Sequence, residues 1–190
     1  MSKDTKIEWT EATWNPVTGC TRVSPGCKHC YAATFAERFR GVRGHPYEQG
    51  FDLRLWPARL RLRVGWTGPR RVFVNSMSDL WHDGVPDEYI ARVFEVMVEA
   101  KHLTFQVLTK RPERMREWMT RFVTRQESGT AERPPSNVWL GVSVESEAYA
   151  WRIESLRRTP AAVRFLSLEP LLGPVNLEDG VLSGIHWVIV

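Results

Sequence analysis

The sequence predicts an α/β fold in which parallel strands and helices alternate as a partial TIM-type barrel. Short apolar, β-branched and aromatic runs recur along all 190 residues, and helical patterns of about ten to fifteen residues separate them. Near-continuous apolar strands are typical of parallel sheets that are covered on both faces. The chain has no G-x-G-x-x-G run after its first strand and no P-loop, which disfavours the common nucleotide-binding folds. An open doubly wound sheet is the alternative arrangement.

Six strands are predicted from the apolar runs. In chain order they cover Ala12–Thr18, Arg71–Asn75, Leu103–Thr109, Asn137–Glu145, Val163–Leu168 and His186–Val190. Each run is short and rich in Val, Ile, Phe, Trp or Thr, the residues that suit a pleated surface. The last run has no turn, cap or following element, so we expect the chain to be truncated there.

Four helices are predicted between the strands. In chain order they cover Tyr31–Phe39, Pro86–Ala100, Pro112–Gln126 and Glu147–Arg158. Gly41 stops the first helix. Pro86 opens the second, and Asp87 stands in its first turn, where the helix dipole favours an acid. The polar segment 127–136 has no periodicity and is predicted to be a loop.

Length and composition indicate one globular domain, residues 1–190. The hydrophobic fraction is 43% and the charged fraction 25%, the balance of a soluble globular protein. No apolar run reaches the roughly 18 residues of a membrane span. The polar N-terminal segment carries acids and matches neither a secretion signal nor a transit peptide. We therefore predict a cytoplasmic protein with no membrane partner.

Three cysteines, Cys20, Cys27 and Cys30, form a C-x6-C-x2-C motif. An odd number of cysteines in a cytoplasmic protein favours ligation or catalysis over disulfides. A structural zinc site uses four protein ligands, whereas an iron–sulfur cubane held by three thiolates keeps one iron open. The motif therefore indicates a reactive metal site, and Pro25 and Gly26 provide a turn that can bring Cys27 back to it.

Basic residues are unevenly distributed. The net charge is +4, and 21 of the 26 lysines and arginines are arginine. Six arginines and two tryptophans lie between Arg54 and Arg71, a combination that suits a nucleic-acid backbone. The alternative is a solvated surface in an arginine-rich protein, because acids elsewhere nearly balance the charge.

Polar groups follow five of the predicted strands. In barrels of this type the chemistry gathers at the carboxyl ends of the strands. The groups at these ends are Cys20; Asn75 to Asp79; Thr109, Lys110 and Arg111; Ser143 and Glu145; Ser167 and Glu169. The sequence therefore predicts a site at this rim.

Five segments resemble the phage Gp37/Gp68 family, also called DUF5131, over nearly the whole chain. They are IEWTEATWNPVTGCTRVSPGCKHCYA, RRVFVNSMSDLWHDGVPDEYI, TFQVLTKRPERM, NVWLGVSVE and RFLSLEPLLG. Three cysteines before repeated βα units also resemble the radical S-adenosylmethionine enzymes, whose usual motif is C-x3-C-x2-C with an aromatic before the last cysteine. Here the first gap has six residues, and His29 takes the aromatic's place. Family members usually continue into a GGESG-like stretch, which agrees with the expected truncation.

The resemblance implies a radical-SAM-like enzyme of unknown substrate that needs an electron donor. It implies a [4Fe-4S] cluster on Cys20, Cys27 and Cys30, with S-adenosylmethionine chelated by the fourth iron. One electron would then cleave the sulfonium to give methionine and a 5′-deoxyadenosyl radical, which takes a hydrogen atom from the substrate. A radical enzyme of this kind can also act on nucleic acid.

The resemblance also implies cofactor contacts at the rim. The expected residues are Ser76, Ser78, Asp79, Lys110, Glu145 and Glu169. The segment from Ser76 to Asp79 stands where radical enzymes usually carry a Gly-Gly-Glu-like motif that receives the methionine amino group. Lys110 would hold the cofactor carboxylate or an anionic substrate, and the two glutamates would bond ribose hydroxyls or carry protons. The alternatives are a turn or cap for Asp79, a solvated loop for Lys110, and helix N-terminal acids for the glutamates.

The competing function is a zinc-containing nucleic-acid-binding protein. In that interpretation the cysteines bind one zinc ion together with His29, His45 or water. His29 is adjacent to the C-x2-C pair, which makes it difficult for all three side chains to surround one ion. The Arg54–Arg71 region would then contact phosphates.

Overall fold

The computed structural model describes residues 5–61, 66, 68–126, 133–178 and 180–190. Within this part of the chain there are eight strands: β1 (Ala12–Trp14), β2 (Val17–Thr18), β3 (Arg54–Leu55), β4 (Arg70–Val74), β5 (Leu103–Thr109), β6 (Val138–Ser143), β7 (Val163–Ser167) and β8 (Trp187–Ile189). The same residues form four α-helices: α1 (Tyr31–Glu37), α2 (Asp87–Glu99), α3 (Pro112–Gln126) and α4 (Trp151–Arg157).

Six of the strands form one parallel sheet in the order β1-β4-β5-β6-β7-β8. The connections β4–β5, β5–β6 and β6–β7 each contain one helix, α2, α3 and α4 in turn, as parallel crossovers commonly do, whereas the described residues between β7 and β8 form no α-helix. The two end strands, β1 and β8, lie at opposite edges, so the barrel is open. This architecture confirms the predicted α/β fold with a partial barrel of parallel strands.

The helix-covered face of the sheet holds the main core. Strand residues such as Val72 and Val107 are buried against Phe94 of α2 and Met115 of α3. These strand positions alternate with residues that point to the other face, as the two-residue period of a strand dictates. One face is therefore occupied by packing, and only the opposite face and the strand ends are free to build a site.

The opposite face of the sheet carries an aromatic cluster. The ring of Trp9 lies 4.6 Å from that of Phe73, and the Trp187 ring lies 6.0 Å from that of Phe165. Gly141 permits this packing, because a Cβ there would lie 2.5 Å from the Phe165 ring. The Gln106 amide donates to the Trp9 carbonyl at 3.3 Å. This cluster therefore fills the face of the sheet opposite the main core, and its Phe73 lies next to the carboxyl end of β4.

The predicted first strand is wrong in its extent. The segment Ala12–Thr18 divides into β1 and β2, and β2 pairs antiparallel with β3, which was not predicted. Pro16 has no N–H to donate, and the Asn15 side chain bonds across to Ser76 and Met77. The chain therefore leaves the parallel sheet at this point.

The other strands and helices agree with the prediction to within about two residues at most ends, the usual scatter of such boundaries. The exception is the fourth helix, which begins at Trp151 after a separate 3₁₀ turn, Glu147–Tyr149. Part of the predicted polar loop, residues 127–132, lies outside the described residues. Across the described chain, no helix combines the length and apolar character needed to cross a bilayer.

Candidate functional site

The three cysteines are brought together at the carboxyl end of the sheet. All are free and partly buried. They separate an inner cleft of about 160 Å³, which faces the strand ends, from an outer cleft of about 270 Å³ beside α1. The inner cleft is lined in addition by Asn75, Ser76, Ser78, Asp79, Thr109, Lys110, Arg111 and Ser143. The polar residues predicted at the ends of β4, β5 and β6 are therefore gathered around the thiols, except for Glu145, and the predicted Ser167 and Glu169 after β7 are not among the lining residues.

The position of Cys20 depends on the glycine before it. Gly19 has a φ of +83°, and a Cβ at that position would lie 2.1 Å from the Asp52 carbonyl oxygen. Its N–H donates to the Met77 carbonyl at 3.0 Å, and the Cys20 N–H donates to the Phe51 carbonyl at 3.2 Å. Only glycine fits this close, left-handed position, which holds the first thiol against the loop after β4.

Arg111 connects the first thiol to a buried carboxylate. Its Nη1 lies 3.4 Å from the Cys20 Sγ and 3.2 Å from Asp79 Oδ2, and its Nη2 donates to Thr21 at 3.0 Å. The Asp79 carboxylate also accepts from the Thr109 hydroxyl at 2.8 Å and from the Lys110 N–H at 3.1 Å. The ends of β4 and β5 are thus joined to the cysteine loop through one ion pair.

His82 supports the same end of the loop. Its Nδ1 accepts the Gly84 N–H at 3.0 Å, so Nε2 carries the proton and donates to the Thr21 hydroxyl at 3.0 Å. Burial lowers the pKa of His82, and the nearby Arg111 cation lowers it further. The imidazole is therefore neutral at pH 7 and acts here as a hydrogen-bonding contact.

Glu145 supports the other end of the loop. It is fully buried after β6, and its Oε1 accepts the Ser24 hydroxyl at 2.5 Å. Lys110 Nζ lies 3.7 Å from Oε1, and Arg152 Nη1 lies 3.3 Å from Oε2. Neither Ser24 nor Arg152 was predicted to belong to the site. Arg152 is one of several polar residues of α4. An arginine in a helix is usually solvated, so the helical pattern does not predict that it contacts Glu145.

Asn75 presents an unusual backbone and an unpaired amide. It has a φ of +63°, a conformation that asparagine tolerates better than most residues. Its Oδ1 accepts the Val17 N–H at 3.3 Å, which assigns the orientation of the amide. Among the described atoms its buried Nδ2 has no partner. An unpaired buried donor beside the inner cleft suits a site that receives an additional acceptor.

The remaining expected residues occupy different surroundings. Ser76 exchanges hydrogen bonds with Asn15, and Ser78 donates to the Val17 carbonyl at 2.8 Å. Glu169 is exposed, accepts the Ser167 hydroxyl at 3.3 Å, and is absent from the lining of the inner cleft. The cofactor roles assigned to these side chains stay predictions.

In the described part of the Arg54–Arg71 region, the arginines do not form one continuous patch. Arg54 and Arg59 both lie over the ring of Trp56, at 4.0 and 4.1 Å from its centroid. Arg71 instead pairs with Glu11 at the amino end of β4, opposite the rim. Arg63 lies outside the described residues. The arginine–tryptophan cluster near the rim is thus separate from the arginines that open β4.

The pKa of the Cys20 thiol is raised to about 11, mainly by burial and in addition by the nearby Asp79 carboxylate. The Arg111 cation lowers this pKa and so offsets part of the increase. We predict that a Cys27→Ser/Cys30→Ser variant is alkylated slowly at Cys20. Since the thiolate reacts, the rate at pH 8.5 should be roughly 100-fold below that of a thiol with the usual pKa of about 8.5. It should keep rising to about pH 11, as measured with iodoacetamide and mass spectrometry. In urea the rate should level off near pH 9.5 instead, and the same early plateau in the folded protein would contradict the prediction.

The donor set fits an iron–sulfur cluster better than a single ion. One zinc ion needs all of its thiolates within about 2.3 Å of one point, whereas a cubane takes one thiolate on each of three irons. Within the described residues, no group of three His, Cys, Asp or Glu side chains is arranged to hold a metal ion, and this includes the three cysteines. His45, a possible zinc ligand from sequence, stacks on Phe39 at 3.8 Å and accepts the Tyr47 N–H. By number and chemistry, the three free thiols beside the inner cleft are the donors that a cluster with one open iron would use.

Comparison with known proteins identifies the family and the fold. The family model described as a protein of unknown function, DUF5131, matches residues 4–190. No curated protein matches the chain.

Among solved structures, spore photoproduct lyase complexed with dinucleoside spore photoproduct matches with a TM-score of 0.56 at 14% identity. A double mutant of that lyase with bound AdoMet and the same dinucleoside matches with a TM-score of 0.55 at 13% identity. Each match covers 95% of this chain and 51% of the lyase chain. The chain thus spans about half the length of these neighbours, and the likeness establishes a shared fold.

Proposed function

Because the chain belongs to the DUF5131 family, whose members are proteins of unknown function, its activity has to be argued from its own site, and we propose that it is an iron–sulfur, S-adenosylmethionine-dependent radical enzyme. The observation that carries this proposal is the convergence of three free cysteines on one polar cleft at the carboxyl end of the parallel sheet. A fold neighbour that was solved with bound AdoMet supports it.

In this proposal Cys20, Cys27 and Cys30 hold a [4Fe-4S] cluster. When bound, the cluster and S-adenosylmethionine supply one-electron cleavage of the sulfonium and a radical that abstracts hydrogen; the cofactors carry that chemistry. The chain's own residues orient and enclose the site. Arg111 donates toward the Cys20 sulfur, and the Asn75 amide offers an unused donor at the inner cleft. Lys110 brings a partly exposed cation to the same cleft, suited to a carboxylate.

The test is anaerobic purification followed by iron, sulfide and zinc analysis, with electron paramagnetic resonance after reduction. We expect about four iron and four sulfide per chain, as a cubane requires, and a spectrum that changes when S-adenosylmethionine is added. Stoichiometric zinc without sulfide, and no spectral change, would contradict the proposal. That outcome would favour the alternative, a zinc-containing nucleic-acid-binding protein.

Nucleic acid is the substrate class that we propose. The fold neighbours are complexes with a dinucleoside, and this chain places exposed Arg22 and Lys28 on the cysteine loop itself. Arg22 lines the outer cleft. Cations in these positions can neutralise phosphates next to the reactive centre.

Neutralising these two cations should weaken oligonucleotide binding and reduce its salt dependence. Each phosphate contact with a single strand contributes about 0.7 to the slope of log K against log salt. An Arg22→Gln/Lys28→Gln variant should therefore lower that slope by about 1.4, measured by fluorescence anisotropy with a labelled single-stranded oligonucleotide. A Lys6→Gln/Lys101→Gln variant removes two exposed charges near the amino ends of the strands and should bind like the unmodified protein. Equal slopes for both variants would argue against this interface.

A further inference from the structure

We propose that Glu145 is a positioning residue for Cys27, acting through Ser24 to set the shape of the six-residue gap between the first two cysteines. The inference rests on the proposed function, because Cys27 needs positioning only if it holds a cluster. The hydrogen bonds that support the inference are all made between residues of this chain. It assigns to this carboxylate a role in supporting the ligand loop, distinct from direct contact with the cofactor.

The carboxylate lies directly beneath the turn that ends at Cys27. Ser24 Oγ donates to Glu145 Oε1 at 2.5 Å across 121 residues of sequence. A Cβ on Gly26 would lie 2.4 Å from the same oxygen, so the turn rests on the carboxylate too closely for a side chain. Within the turn, the Cys27 N–H donates to the Ser24 carbonyl at 3.0 Å. Glu145 thus holds Ser24, and the Ser24 carbonyl accepts the hydrogen bond from the Cys27 N–H.

Two cations compensate the charge of the buried carboxylate. Arg152, with a side chain 2% exposed, reaches Oε2 at 3.3 Å and also donates to the Ser143 carbonyl at 2.8 Å. Lys110 reaches Oε1 at 3.7 Å. A hydrogen bond to an ionised acceptor is shorter and roughly twice as strong as a neutral one. The contact with Ser24 therefore has the character of a firm attachment.

Glu145 is itself held by the centre of the sheet. It follows β6, which pairs with both β5 and β7, and its carbonyl accepts the Leu172 N–H at 2.7 Å. The cysteine loop is attached at its other end through Thr21 to Arg111. A loop of six residues has many conformations when only its ends are held. An attachment at Ser24, midway along the loop, selects the one that presents Cys27 beside the cleft.

The experiment compares Ser24→Ala and Glu145→Gln with the unmodified protein after anaerobic purification. The readout is the first-order rate of cluster loss to an iron chelator. Because Ser24→Ala removes a hydrogen bond to a carboxylate, we expect this variant to release iron at least roughly tenfold faster. The double variant should be no faster than Glu145→Gln alone if both residues act through one contact. Glu117→Gln, an exposed glutamate on α3, is the matched control and should match the unmodified rate.

A second readout does not depend on the cluster. Trypsin can cut the loop after Arg22 and Lys28, and in the metal-free protein we expect Ser24→Ala to be cut there several-fold faster at unchanged circular dichroism. Faster cleavage in a protein that binds no cluster would support the positioning role while contradicting the proposed function. Unmodified cleavage and chelation rates in Ser24→Ala would overturn the inference.

Discussion

Replacing Cys27 by alanine should abolish cluster binding. If each of the three thiolates holds one iron, one iron of the intact cluster has no protein ligand, and removing Cys27 leaves two without one. The iron content should therefore fall from about four to below about one per chain. The side chain is only partly buried, on a short 3₁₀ turn, so the fold should survive. Iron and sulfide analysis with visible absorption measures the effect, and circular dichroism verifies the fold.

His29→Gln is the informative control for this variant. His29 lies between Cys27 and Cys30, and its side chain is exposed. A cluster held by three cysteines should keep its full iron content in this variant, whereas a zinc site completed by His29 should lose its metal. Retention of full iron by Cys27→Ala would show that this thiol is not a ligand.

Replacing Asp79 by alanine should strongly destabilise the fold. The substitution removes the acceptor of the Thr109 hydroxyl and the Lys110 N–H, and leaves the Arg111 guanidinium, with a side chain 8% exposed, without its carboxylate. Breaking a buried pair in this way costs about 3–5 kcal/mol. For a chain of this size that corresponds to a melting temperature lower by roughly 6–20 °C. Thermal and urea unfolding followed by circular dichroism give the measurement.

Two further variants distinguish the effect of losing the Asp79–Arg111 ion pair from nonspecific destabilisation of the fold. Asp87 pairs with Arg114 and Arg121, but its side chain is 44% exposed, so Asp87→Ala should cost about 1 kcal/mol or less. Asp79→Ala/Arg111→Met removes both charges and should recover part of the loss, because no uncompensated cation is left. An Asp79→Ala loss no larger than that of Asp87→Ala would show that this pair does not stabilise the site.

The strands, most helices and the rim could be predicted because their signals are local. Leu103–Thr109 and Pro112–Gln126 have their predicted bounds, since an apolar period and a starting proline are sufficient to specify such elements. The gathering of Cys20, Asp79 and Lys110 follows from the same topology, because parallel strands end at one edge. The β2–β3 pair was missed because strands of two residues have too little periodicity to detect.

Local patterns were sufficient to predict the α/β fold class and to place the three cysteines at the carboxyl end of a parallel sheet. The side chains around those thiols became visible only once the chain was folded. Ser24 and Glu145 are separated by 121 residues, and the cation that approaches Cys20 comes from the end of β5. Contacts of this range depend on how separate βα units pack together. Local patterns reveal where a side chain stands in its own element, but not which distant partner it meets.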